Sequence, residues 1–244
     1  MTRVLTSVPS QKWLSAIWII LWKSGIFFIL WAVLYAPFVV LLAPRIENIT
    51  LSSPLLLLLY FDSTGAITIL IAAWIMARFI ERRSFSTLGF APDHLAGDIL
   101  LGVWIGFLWL ASSLSVLWFF GWATPQVSGT LDGSTLAVAG VALILNTVIQ
   151  EVLARSYTFQ TIQSQTNPTW AILITALSFM LYHAAGIRGA WLPRINVFLA
   201  GILFGVAYYL TGNLWLPIAM HFVWNFLLGP VLGLAVSGQD LANS

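Results

Sequence analysis

The sequence predicts an all-α fold, a polytopic membrane bundle of about seven transmembrane helices, or eight if its long first apolar run divides. Two observations carry this. The chain is 60% hydrophobic and only 7% charged, with a mean hydropathy of +0.94, far from the composition of soluble domains. Apolar runs near the ~20 residues that a ~30 Å hydrocarbon core demands recur along the whole length. No soluble domain fits beside them, so residues 1–244 read as one integral membrane domain.

The first run spans 13–43 and follows Arg3 and Lys12. It continues past Val40, too long for a cleavable signal peptide, and reads as an uncleaved span. At about 1.5 Å per residue it also exceeds the bilayer core, and Lys23 interrupts it, so its start is expected along the interface. The remaining helices are predicted at 54–79, 95–122, 135–164, 169–185, 195–211 and 214–235. Turn chemistry separates them: Pro44, Ser52-Ser53-Pro54, Ala91-Pro92-Asp93, Asp132-Gly133, Asn167-Pro168 and Gly212-Asn213.

With the N-terminal side as side A, seven spans put the C-terminus opposite. Side A then holds Arg3, Lys12, Arg78, Arg82 and Arg83 against Arg45, Arg188 and Arg194 on side B, a bias that favours A as cytoplasmic. The expected location is the plasma (inner) membrane of a bacterium. The net charge of +2 and pI near 9.2 suit anionic lipid headgroups and give no case for nucleic acid; the absence of Cys excludes disulfide and thiolate chemistry. The GxxxG pairs Gly102/Gly106, Gly201/Gly205 and Gly229/Gly233 read first as packing within one chain and second as a dimer contact.

Against this background Gln150, Glu151 and Arg155, in "NTVIQEVLARSYTF", must face inward, since a charge at the bilayer centre costs on the order of 2.5–3.5 kcal/mol. Four residues apart, Glu151 and Arg155 share a helix face and can neutralise one another; a purely stabilising pair is the plain reading of that spacing. His183 in "SFMLYHAAG", and His221 with Asn225 in "LPIAMHFVWN", are sparse polar groups of the same kind, and each alone reads as packing or as a bond between helices. His94, beside Pro92 and Asp93, is expected in solvent. Counted from side A, Glu151 lies about 20 Å deep, His183 about 21 Å and His221 about 10 Å, so all three are expected in one cavity opening toward side A.

Carboxylate, imidazoles and an amide in such a cavity suit hydrolysis, which needs a base for water, donors for an oxyanion and a charge pair to hold the base. Two His and one Glu can also ligate zinc, but there is no HExxH and the ligands would come from three helices, so no metal or other cofactor is expected. A small transporter would likewise need inward polar groups; against it stand the lack of an inverted repeat and the scarcity of polar residues elsewhere in the spans.

"QEVLAR" (150–155), "FMLYH" (179–183) and "HFVWN" (221–225) resemble, in order and placement, the EExxxR, FxxxH and HxxxN motifs of the CAAX-protease and bacteriocin-processing (CPBP, Abi/Rce1-like) intramembrane proteases. "ERRSFSTLGF" (81–90) and "GNLWLPIAMH" (212–221) are similar to that family's phrasing, and the resemblance covers about 78–235. It implies an intramembrane endopeptidase acting on a peptide or protein substrate, lipidated or not, among membrane lipids; older descriptions call such proteins metalloproteases. By position it implies that His183 assists the base, His221 and Asn225 bind the oxyanion, and Glu151 with Arg155 organises the site.

The first motif Glu falls on Gln150. An amide accepts a hydrogen bond from water but cannot take its proton, so three accounts stay open. The enzyme uses Glu151 or His183 as base; the protein binds without cutting; or the catalytic position was altered deliberately. Ser156, where the family often has Gly, needs a little more room.

Overall fold

The computed structural model describes residues 10–45, 54–122, 132–184, 186 and 191–236. Arg3, Ser52, Ser53, Arg188 and the C-terminal end lie outside these residues. Among them the architecture is all-helical: α1 (Ser10–Leu42), α2 (Pro54–Ile75, extended by a π-helical turn Met76–Ile80), α3 (Leu95–Phe119), α4 (Gly133–Arg155), α5 (Tyr157–Gln165), α6 (Pro168–His183), α7 (Trp191–Thr211) and α8 (Trp215–Phe226, extended by a π-helical turn Leu227–Val231). Each predicted span is largely helical, but among the described residues five stretches are long and apolar enough to cross a membrane: Lys12–Leu42, Leu55–Ile80, Leu95–Phe119, Gly133–Gln165 and Trp191–Thr211. Pro168–His183 and Trp215–Val231 are apolar but shorter. Exposed Trp18, Leu41, Phe119 and Leu210 give these helices the outward apolar surface that lipid requires.

The first apolar run does not divide. α1 is continuous over 33 residues, and Lys23 does not interrupt it because its ammonium lies 2.7 Å from Glu81, whose carboxylate also accepts from the Tyr157 hydroxyl at 2.8 Å. Partial burial pushes Glu81 up, but the bonds from Lys23 and Tyr157 outweigh it and hold the carboxyl below its ordinary value. From Lys23 to Leu42 is about 30 Å, one hydrocarbon thickness, and α1 packs against α5.

The fourth predicted span is one apolar run but two helices. Ser156 (φ −81°, ψ −106°) separates α4 from α5, and its hydroxyl donates to the Leu88 carbonyl at 3.0 Å. The segment around Leu88 and the turn before α8, remote in sequence, dock on each other here: Leu214 N–H donates to Gly89 O at 2.8 Å and Trp215 Nε1 to Ala91 O at 2.7 Å. Gly89 has φ +99°, and a Cβ there would sit 2.9 Å from both Leu214 and Tyr208, so this junction requires glycine.

Two helix pairs run parallel and set the core. Gly65 of α2 receives Ile149 of α4, and Gly102 and Gly106 of α3 receive the backbone of Leu216 and Met220 in α8, where an added Cβ would lie 2.6–2.7 Å from carbonyl oxygens. Gly201 of α7 meets Ala176 of α6 at similar range in an antiparallel crossing. Two of the three small-residue pairs therefore pack within the chain, as the plainer reading holds.

Candidate active site

The site is built on the last two turns of α4. Glu151 and Arg155 are wholly buried on one face, with Arg155 Nη1 3.2 Å from Glu151 Oε1. Arg155 also donates through Nη2 to the Gly201 carbonyl at 3.1 Å, and its guanidinium lies over the rings of Phe179 (4.4 Å) and Phe204 (5.5 Å). A guanidinium enclosed in this way meets two acceptors and two ring faces, an environment in which a buried cation is tolerable.

Glu151 has a second partner. Its Oε1 also lies 2.9 Å from Nδ1 of His221 on α8, so one carboxylate oxygen ties two helices and a cation together. His221 stacks on Phe204 at 4.9 Å. A carboxylate can only accept, so Nδ1 of His221 carries the proton in this bond and Nε2 is the nitrogen left for the recess. His183 ends α6, and its Nδ1 lies 2.8 Å from the Phe179 carbonyl. A carbonyl also only accepts, so here too Nδ1–H is spent and Nε2 is the lone pair on offer.

Two adjoining recesses meet at His183 and Asn225. One, about 210 Å³, is lined by Asp62, Asn146, Gln150, Tyr182, His183 and Asn225. The other, about 320 Å³, is lined by Trp109, His183, Asn196, His221, Trp224 and Asn225 among others. Both have room for several waters. Of the six candidate residues, Gln150, His183, His221 and Asn225 thus form recess walls; Glu151 and Arg155 line neither and lie behind His221. Glu151 Oε1 is held by Arg155 and His221, and its Oε2 is buried without a partner.

The predicted opening toward side A is overturned. The recess walls include Leu55 at the start of α2, Ala139 early in α4, Gly186 just past α6 and Val236 beyond α8, all on side B. The reason lies in the tertiary arrangement: the helix ends that line the recess come from α2, α4, α6 and α8 and meet only in the fold. His94 is exposed, as expected.

Sequence reasoning missed Asp62 and Asn146. Asp62 of α2 is buried and accepts from Asn146 Nδ2 at 2.8 Å; Asn146 Oδ1 in turn accepts from Gln150 Nε2 at 2.5 Å. The signal available was an isolated carboxylate inside an apolar run, the same criterion that drew attention to Glu151.

Among the described residues no three His, Cys, Asp or Glu side chains converge to hold a metal ion. Glu151 Oε1 meets both Arg155 and Nδ1 of His221, so a zinc ion bound through that oxygen would have to displace these contacts.

Residues 132–227 match the family model described as Type II CAAX prenyl endopeptidase Rce1-like. The match lies within the 78–235 core and contains all three motifs. No curated protein and no solved structure matches the chain.

Proposed function

We propose that this chain, Rce1-like over residues 132–227, is a multi-pass membrane endopeptidase that hydrolyses a peptide bond with an activated water in the recess between α4, α6 and α8. The observation that carries the reading is the commitment of both imidazoles through Nδ1, which leaves two Nε2 atoms for the recess walls. Gln150 Oε1 and His183 Nε2 are both acceptors. Water donating to each would turn a lone pair toward a substrate carbonyl, with the proton passing to His183 and then to the leaving nitrogen. Asn225 Nδ2 donates to the oxyanion, and His221 joins it through Nε2–H as the imidazolium that the adjacent Glu151 carboxylate stabilises; Arg155 holds Glu151 in place. The substrate class is a peptide or protein with or without a prenylated Cys near its end, and the location is the plasma membrane of a bacterium.

The test is cleavage of a quenched-fluorescence peptide carrying a farnesylated CAAX tail, and of its unlipidated twin, by the purified chain in nanodiscs. His183→Gln is expected to lower the rate by about 10²–10⁴ with the fold intact. Failure of the folded parent to cut either peptide would favour noncatalytic binding on the same fold.

The purified protein is expected to hold zinc well below one equivalent, and cleavage to survive a mild chelator. Metal analysis checks this; one equivalent of zinc, with chelator-sensitive activity restored by zinc, would reverse the assignment.

A further inference from the structure

The relay from Asp62 through Asn146 to Gln150 has a direction, and its direction follows from its first member. An ionised carboxylate only accepts, so Asn146 must turn its Nδ2 toward Asp62 Oδ1. That leaves Asn146 Oδ1 for Gln150, which must present Nε2. The amide of Gln150 is thereby fixed with Oε1 as its spare group, a buried atom without a protein partner on a side chain that lines the recess. An enclosed acceptor with no partner is a seat for a donor such as water.

We infer that Asp62 is a positioning residue of the site: through Asn146 it decides which end of the Gln150 amide receives the nucleophilic water, and it is the carboxylate that compensates for the amide at position 150. This rests on the peptidase reading for its catalytic consequence only; the hydrogen-bond logic holds without it. Asp62 is the relay's anionic end, and with Asn146, Tyr182 and His183 it lines the same recess as Gln150. The water's proton still goes to His183; Asp62 forms and breaks no covalent bond.

The inference has a signature that a simple structural role lacks. Asn146 offers one NH₂ and one carbonyl, so the relay is complete when exactly one of positions 62 and 150 is a carboxylate and the other an amide. With Gln150→Glu alone, carboxylates face both ends of the Asn146 amide and its Oδ1 is left against one of them. With Asp62→Asn alone, the relay runs equally well in either sense and the Gln150 amide loses its fixed orientation. With both changes the relay is complete again, reversed, and a carboxylate stands at 150. The two substitutions should each be harmful and jointly benign, the pattern of directly coupled neighbours.

The experiment measures melting temperature and farnesylated-peptide cleavage at neutral pH for the parent, Asp62→Asn, Gln150→Glu and the double variant. Gln150→Glu is expected to melt about 2–4 °C below the parent, with the double variant returning to it. Asp62→Asn is expected to lower kcat by about 10²-fold at unchanged KM, as misorientation of a reacting group does, and the double variant to recover that loss. Additive losses in melting temperature, or a double variant slower than Asp62→Asn, would overturn the inference. Recovery of melting temperature with no cleavage by any of the four would keep the relay but remove the peptidase reading and with it the catalytic role of Asp62.

Discussion

Arg155→Ala is expected to cost about 3–5 kcal/mol of stability, because it deletes one partner of a pair that is enclosed on all sides. Glu151 would keep only His221, and its Oε2 already lacks a partner. The Gly201 carbonyl would lose its donor, and the faces of Phe179 and Phe204 their cation. The second motif's Phe and His therefore act together: Phe179 covers Arg155 with its ring and fixes His183 with its carbonyl. Thermal unfolding in nanodiscs and folded yield check this; a melting temperature equal to the parent's would show the pair to be dispensable.

Glu151→Gln is expected to lower cleavage by about 10²–10³, the range associated with losing one oxyanion stabiliser, because without the Glu151 charge His221 no longer carries the second proton with which Nε2 donates, although the ring stays in place. Its Oε1 can still accept from both Arg155 and His221, so the hydrogen bonds persist and only the charge goes. Arg155 then stands as an uncompensated buried cation, and stability should fall as well. Glu151→Gln combined with Arg155→Met separates the two effects. Removing both charges, with Met filling the space between Phe179 and Phe204, should return the melting temperature toward the parent, whereas cleavage should stay low. Recovery of cleavage in that double variant would show that the carboxylate has no part in the reaction beyond neutralising Arg155.

The helical stretches and the Glu151–Arg155 pair were legible because both are local properties: the first is a run of apolar residues, the second a four-residue spacing on one helix. What escaped is nonlocal. The bond from Glu151 to His221 joins residues 70 apart, and Asn146 to Asp62 joins residues 84 apart; no periodicity encodes either. The break at Ser156 was hidden because its cause is the Leu88 carbonyl on another segment. The side on which the recess opens depends on which ends of α2, α4, α6 and α8 come together, and no helix boundary read from sequence encodes that.

The local closure of the Glu151–Arg155 pair also bears on how the chain enters a bilayer. Segments are made in order, and α4 is complete long before the His221 that Glu151 will hold has been synthesised. A helix leaving the insertion machinery with a bare carboxylate would be drawn back toward water. Because the guanidinium lies one turn away on the same helix, α4 carries its own counter-ion and reaches the hydrocarbon already neutral. α8 then docks His221 on this preformed pair and completes the site, so that the Glu151 carboxylate is never without a counter-ion during assembly.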